Sequence, residues 1–245
     1  MAAPTVLTNA TIWYGGYDLT GATNEITMSA ARAEKPVSRF GDTIEATYPG
    51  ATTVGVEAKG FWDSALDGPQ FTQLTNPSTS WPLTICPDGA DLGELAYGIE
   101  AYSFNYSALE AQWGQSLPYR LGAKSKSGGS LGRGTVMQSK ATISADTGTT
   151  KIQIGAVSAT QKLVAALHAF SMTGAGSWTV AVQSDVDAAP GGETLRGIVA
   201  TVTAAPSVGV LEIAGPITDD YWHVFFDETG GTSITCAVTF AIVDA

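Results

Sequence analysis

The chain has 245 residues, of which 44% are hydrophobic and 14% charged, and its 23 acids against 12 bases give a formal charge of −11. That length is enough for one large or two small domains with a hydrophobic core and no disulfide scaffold. The composition excludes a tight nucleic-acid binder, which needs clustered Lys and Arg, and a disordered acidic chain, which would be poorer in apolar residues.

The opening stretch, Met1 to Thr11, has neither a basic segment nor an apolar one, so no signal peptide is expected there. No apolar run reaches the ~18 residues of a membrane helix, so the chain is expected to be soluble and assembled inside a cell. Gly15-Gly16 marks a first turn. From Asn24 to Ala30, Ile26 and Met28 fall on one face while Glu25 and Thr27 fall on the other. Thr53 to Phe61 repeats the alternation, with Val54 and Val56 opposed to Gly55 and Glu57. This period of two predicts strands half-buried in antiparallel sheets. Between them lie Gly41-Asp42 and Pro49-Gly50, both turn signals. A long Pro/Asn/Ser-rich stretch follows from Asp67 to Trp81. So long a loop in a compact domain is usually functional or pairs with another subunit.

One helix is predicted, at Ser107–Gln112, where Ser-Ala-Leu-Glu has the form of a capping box. The Gly-rich stretch from Lys124 to Gly134 reads either as a linker or as a strand pair joined by a Gly-Gly turn. A boundary is expected near residue 138, with eight bases and thirteen acids before it and four and ten after. Beyond it Trp178, Val180 and Val182 alternate with Thr179, Ala181 and Gln183. Cys236, Val238, Phe240 and Ile242 alternate with Thr235, Ala237, Thr239 and Ala241. No internal repeat is evident. The fold class read from this pattern is all-β.

Residues that carry chemistry are sparse. The two histidines, His168 and His223, sit in apolar strand-like segments, and no Gly-x-Ser-x-Gly elbow accompanies them, so a catalytic triad is not expected. His223 with Asp219 and Asp220 could bind a metal, but Thr-Asp-Asp before a strand is more simply a turn. Asp185 and Asp187 lack the spacing of a calcium loop and read as an acidic hairpin. Gly128–Gly134 lacks the Gly-Lys-Ser/Thr ending of a phosphate loop. Cys86 and Cys236 belong to no metal-binding cluster and read as buried small hydrophobes rather than a disulfide pair. No cofactor and no enzyme activity are therefore expected. Trp62, Trp81, Trp113, Trp178 and Trp222 are scattered, as core or subunit contacts would be. The alternative for Trp178, Tyr221 and Trp222 is a sugar-stacking surface.

From Trp13 to Met137 the order of short motifs resembles the tail tube proteins of long-tailed bacteriophages. The motifs are Tyr14-Gly-Gly-Tyr-Asp-Leu-Thr-Gly-Ala-Thr-Asn, Glu25-Ile-Thr-Met-Ser, Phe40-Gly-Asp-Thr, Tyr48-Pro-Gly and Gly60-Phe-Trp-Asp. Tyr119-Arg-Leu-Gly-Ala-Lys-Ser-Lys-Ser-Gly and Gly132-Arg-Gly-Thr-Val-Met resemble the closing strands of that domain. The second half is similar to small β-sandwich domains, Ig-like or jelly-roll-like, appended to such virion proteins.

The resemblance implies a tail-tube-type β-sandwich or barrel at 1–138 and a second antiparallel β-sandwich at 139–245 on the virion exterior. It implies subunits that join their sheets into hexameric rings, which stack into the tube through which DNA passes without specific binding. Partners would then be the chain itself and other phage tail proteins, with no membrane anchor, in a virion assembled in the host cytoplasm. Ala33–Tyr48 and Asp67–Trp81 are candidates for the loop that bridges rings. On this reading Arg39, Phe40, Gly41, Asp42, Thr43, Phe71 and Trp81 lie at the subunit interface, and Glu25, Glu45 and Glu57 face the lumen. Other virion roles on the same fold, tail terminator or head decoration, stay open, as does a carbohydrate-binding second domain.

Overall fold

A computed structural model describes residues 9–36, 47–62, 79–108, 116–126, 132–231 and 233–245. Among them are sixteen strands and no helix. The first eight are β1 (Thr11–Tyr14), β2 (Tyr17–Asp18), β3 (Thr23–Pro36), β4 (Thr47–Phe61), β5 (Trp81–Cys86), β6 (Leu95–Ala108), β7 (Pro118–Ser125) and β8 (Gly132–Ile143). Then come β9 (Thr147–Gly148), β10 (Ile152–Gln153), β11 (Gln161–Thr173), β12 (Ser177–Asp185), β13 (Thr194–Val202), β14 (Ser207–Ala214), β15 (Tyr221–Thr229) and β16 (Ser233–Asp244). The protein is all-β and its sheets are antiparallel. Ser107, expected to cap a helix, lies in β6 opposite Arg120 instead, one residue before the strand's end; positions 109–112 lie outside the described residues.

The strands gather into two compact units that are not consecutive along the chain. One takes the described residues of 1–21, 81–100 and 128–245, the other those of 22–80 and 101–127. The boundary expected at residue 138 falls inside β8, whose register with β16 runs unbroken in direction from Ile143↔Ile234 to Gly134↔Ala241. Strand pairing, rather than order in the sequence, decides which residues share a core.

The larger unit is built on one sheet in the order β14-β11-β16-β8-β6-β5-β1-β2 and a second in the order β10-β15-β12-β13, with β9 also on β15. The main core lies between them. Leu163, Ala165, Leu167 and Ala169 of β11 point inward, as do Trp178, Val180 and Val182 of β12. Trp222, Val224 and Phe226 of β15 meet Ile234, Cys236, Val238 and Phe240 of β16 in the same layer. The period of two seen in the sequence is this alternation. Ala237 and Thr239, on the other face of β16, are buried as well. Ala237 packs with Trp13, Cys86, Ala96 and Val136 in a second, smaller cluster, so β16 is covered on both sides. Cys86 and Cys236 are free and buried, and burial pushes each thiol up to about 12.

The first hairpin shows why its sequence is Gly-Gly. Tyr14 pairs with Tyr17, leaving a two-residue turn with Gly15 at φ +61°, a conformation that L side chains resist. A Cβ on Gly15 would stand 2.6 Å from the Trp81 ring.

Candidate assembly surface

The smaller unit is a four-stranded sheet in the order β3-β4-β7-β6, with β6 contributing its second half. β3 and β4 pair from Thr23↔Gly60 to Pro36↔Thr47 with two register shifts, whereas β7 pairs with β4 only over Gly55–Phe61. Among the described residues β3 has no strand on its other side. The result is a 14-residue edge strand on a hairpin that outruns its own sheet. From Ser29 to Glu34 every residue of β3 is exposed, as are Ala51, Thr52 and Thr53 across from it. A two-stranded ribbon with both faces in water has little to stabilise it alone. Its open row of N–H and C=O groups is a template for another strand.

The two faces of this sheet differ in chemistry. On one, Val54, Val56 and Ala58 of β4 and Leu121 and Ala123 of β7 are buried, with Ile26 and Met28 completing the row toward the open edge. On the other lie Glu25, Thr27 and Ser29, then Gly55, Glu57 and Lys59, then Arg120, Gly122 and Lys124. Lys59 donates to Glu25 at 2.5 Å, in solvent, where such a pair is worth no more than ~1 kcal/mol. At a bulge in β6, Phe104 stands exposed with the Lys124 ammonium 5.7 Å from its ring centre.

Of the residues read from the sequence as lumen-facing, Glu25 and Glu57 are brought together on this exposed polar face, in company with Lys59, Arg120 and Lys124. The surface is thus mixed in charge rather than uniformly acidic. Glu45 lies outside the described residues, as do Arg39, Phe40, Gly41, Asp42, Thr43 and Phe71. Trp81 opens β5 in the larger unit, half-buried, with its ring 5.7 Å from that of Tyr14 and 6.0 Å from that of Tyr17.

The two tryptophans pack in the core, and do not form the sugar-stacking surface raised as the alternative for Trp178, Tyr221 and Trp222. Trp178 and Trp222 are wholly buried between the two sheets. Trp222 also donates its Nε1 proton to the Gly155 carbonyl at 2.9 Å. Period two sends Trp222 inward and turns Tyr221, His223 and Phe225 outward. That outward row has its own cavity, of about 430 Å³, lined by Thr149, Lys151, Gln183, Glu193, His223 and Phe225 among others.

The acids near that cavity are held by local partners. Lys151 bonds to Asp185 at 2.5 Å and Glu193 at 3.0 Å, and to the Ala189 carbonyl. Desolvation opposes the Lys151 charge, but the bonds to Asp185 and Glu193 outweigh it and raise its pKa. The bond to Lys151 in turn lowers Asp185. Glu193 falls to about 2, chiefly through the backbone N–H groups of Glu193 and Gly191. Asp219 accepts from Ser184 at 2.7 Å and from Arg196 at 2.6 Å, and those two bonds, Ser184 first, lower its pKa. Asp220 accepts from Gln153 at 2.6 Å. Among the described residues no group of three or more His, Cys, Asp or Glu is placed to hold a metal ion.

His168 is fully buried in the larger unit. Its ring lies 5.7 Å from Trp13 and 6.4 Å from Phe170, nearly parallel to the latter. Desolvation brings its pKa down to about 4, against smaller opposing effects of the Gly15 carbonyl and Asp18. Neither histidine has a nucleophile and an orienting acid beside it in the bonds described, so the geometry offers no triad.

The fold and this surface define an antiparallel all-β protein with a long edge strand, β3, paired on one side only among the described residues. No known family model matches the chain, and no curated protein matches it. Among solved structures it is similar to a chain in the virion of a native gene transfer agent particle, at 12% identity and a TM-score of 0.40, over 52% of this chain and 98% of that one. It is similar to a chain of an extracellular contractile injection system, the PVC sheath-tube complex in its extended state, at 13% identity and a TM-score of 0.37, over 50% and 88%. The Dit protein of SPP1, described as a hub adsorption apparatus of Gram-positive infecting phages, aligns at 12% identity and a TM-score of 0.32, over 96% and 99%.

Proposed function

We propose that this chain is a structural protein of a phage tail that assembles with copies of itself by continuing its β-sheet across the β3 edge. The observation that carries the reading is that edge: fourteen residues long, exposed on both faces at its far end, and paired only with β4 among the described residues. Such an edge invites uncontrolled aggregation unless a defined neighbour completes it. A closed ring of identical subunits supplies one, because each subunit covers the edge of the next and none is left over. The sequence resemblance to tail tube proteins points the same way and suggests six subunits per ring, with rings stacked into a conduit for DNA.

In that arrangement the polar face carrying Glu25, Thr27, Ser29, Glu57 and Lys59 lines the passage. Its hydroxyls and interspersed charges of both signs, Glu25 and Glu57 among Lys59, Arg120 and Lys124, offer a sliding polyanion no uninterrupted basic track, the feature that tight phosphate binding requires. The role is assembly and not catalysis. Negative-stain electron microscopy of the purified protein tests this directly. Rings or tubes with a central hole are expected, and a protein that stays monomeric at high concentration and is absent from tails of the intact particle would sink the proposal.

A further inference from the structure

We propose that the cavity on the outer face of β12 and β15 binds a neutral, hydroxyl-rich ligand of the saccharide class. Three elements build it. Gln183 of β12 and His223 of β15 are direct cross-strand partners, and Phe225 follows two residues along β15 on the same face. The segment around β9 and residues 149–151 forms one wall, with Gly148 registered against Phe225. The loop after β12, through Glu193, forms the other.

Charge selects the class of ligand. The only base in the lining, Lys151, is already bound to Asp185, Glu193 and the Ala189 carbonyl. A phosphate or carboxylate ligand would meet the Glu193 carboxylate and a lysine that is already committed. A cation would meet that same lysine. A neutral ligand avoids both penalties.

What remains uncommitted is what a polyol uses. Gln183 and Thr150 make no side-chain hydrogen bond among the described residues, and the buried Nε2 of His223 has no partner there either. Desolvation lowers the His223 pKa, more than Glu193 and Asp185 raise it and with Lys151 adding to the lowering, so the ring is neutral at neutral pH. The half-buried Phe225 ring supplies a flat apolar surface beside these polar groups. Ligand sites of this kind combine an apolar wall with a few convergent donors and acceptors, and typically span about 300–1,000 Å³. The volume of about 430 Å³ falls within that range. This inference stands on the larger unit alone and does not depend on the assembly proposed above.

Saturation-transfer-difference NMR on the full chain tests it. The probes are glucose, galactose, N-acetylglucosamine, rhamnose and their disaccharides, with glycerol 1-phosphate and choline as charged counterparts. At least one neutral sugar is expected to bind, and to bind at least about tenfold more weakly in both Gln183→Ala and Phe225→Ala. Gln183 sits on the surface of its strand, so its variant keeps the test valid if Phe225→Ala does not fold. Three results would overturn the proposal: no neutral sugar bound, only the charged probes bound, or an affinity unchanged in every variant that folds. Electron microscopy of the same samples reads assembly separately, so sugar binding without rings, or rings without sugar binding, identifies which reading has failed.

Discussion

The Thr84 hydroxyl in β5 donates to Nε2 of His168 in β11 at 2.8 Å, joining residues 84 positions apart in a fully buried site. The direction of that bond follows from the other ring nitrogen. His168 Nδ1 lies 2.5 Å from the Gly15 carbonyl, which can only accept, so Nδ1 carries the proton and Nε2 is left as the acceptor. One neutral imidazole thereby ties the first hairpin turn, β5 and β11 together.

This histidine makes stability depend on pH. Its folded pKa, about 4, lies below the ordinary value of 6.5, so the unfolded chain takes up a proton at a pH where the folded chain does not. The stabilisation is complete above pH 6.5 and is lost as pH falls toward 4, an effect of order 3 kcal/mol. Urea unfolding across that window is expected to fall more steeply for the native sequence than for His168→Gln. Equal slopes would show that His168 is not the titrating group.

Gly16 is expected to tolerate no side chain. A Cβ there would stand 2.6 Å from the Ala169 carbonyl oxygen, 2.7 Å from Pro206 Cβ and 2.9 Å from the Ser207 nitrogen. Gly16→Ala should cost about 1–3 kcal/mol or more by overpacking. Gly21→Ala meets nothing within 4 Å and should be close to neutral. Thermal melts of the two variants make the comparison, and equal melting temperatures would contradict the packing described.

Blocking the β3 edge should separate folding from assembly. Thr27 and Ala31 are exposed residues of β3, and lysines on an edge strand discourage pairing with a further strand. The double variant Thr27→Lys/Ala31→Lys is expected to keep its melting temperature, since surface changes usually fall within about 0.5 kcal/mol. It should nonetheless lose rings in size-exclusion chromatography with light scattering. Rings that persist undiminished would place the subunit contact elsewhere.

Lys151→Met removes the shared counter-charge of Asp185 and Glu193. Both carboxyls are lowered in the folded protein, so they contribute stability above about pH 4 that is lost as pH falls through their folded values. The variant is expected to be less stable at pH 7 and to show a shallower decline between pH 4 and 2. Chemical denaturation at pH 7, 4 and 2 measures both, and an unchanged decline would mean that the bond to Lys151 does not lower the Asp185 pKa.

Local alternation was the legible part of this fold. Trp178, Val180 and Val182 point inward as the period of two requires, and Val54 and Val56 are buried opposite an exposed Glu57. Alternation did not reveal that β16 is covered on both sides, because a small residue such as Ala237 carries no sign of the Trp13 cluster packed on it. Position 138, where a break is expected after a Gly-rich stretch, lies within β8, which begins at Gly132 and includes Gly134. They are strand glycines: a Cβ on Gly134 would stand 2.0 Å from the Phe240 carbonyl oxygen. The cavity is not legible in the sequence, because its walls come from residues 148–151, β12, the loop after it and β15, which only the strand pairing brings together. The same period of two, applied to Tyr221-Trp222-His223, sends Trp222 into the core between the sheets and turns Tyr221 and His223 to the other face, where His223 is itself buried in the cavity wall. The partnership of Asp185 with Lys151 joins positions 34 apart, which no local pattern signals.

β16 lies inside its sheet, with β11 on one side and β8 on the other, yet it is synthesised after every strand it joins. The pairing of β11 and β8 through their common neighbour therefore requires residues 233–244, and so does the cover that Ala237 gives Trp13. The larger unit closes only when residues 233–244 slot in, a late, non-local step of the kind that slows folding. Until then the growing chain exposes two open strand edges besides that of β3. The completion of the larger unit thus rests on the last strand of the sequence to be made.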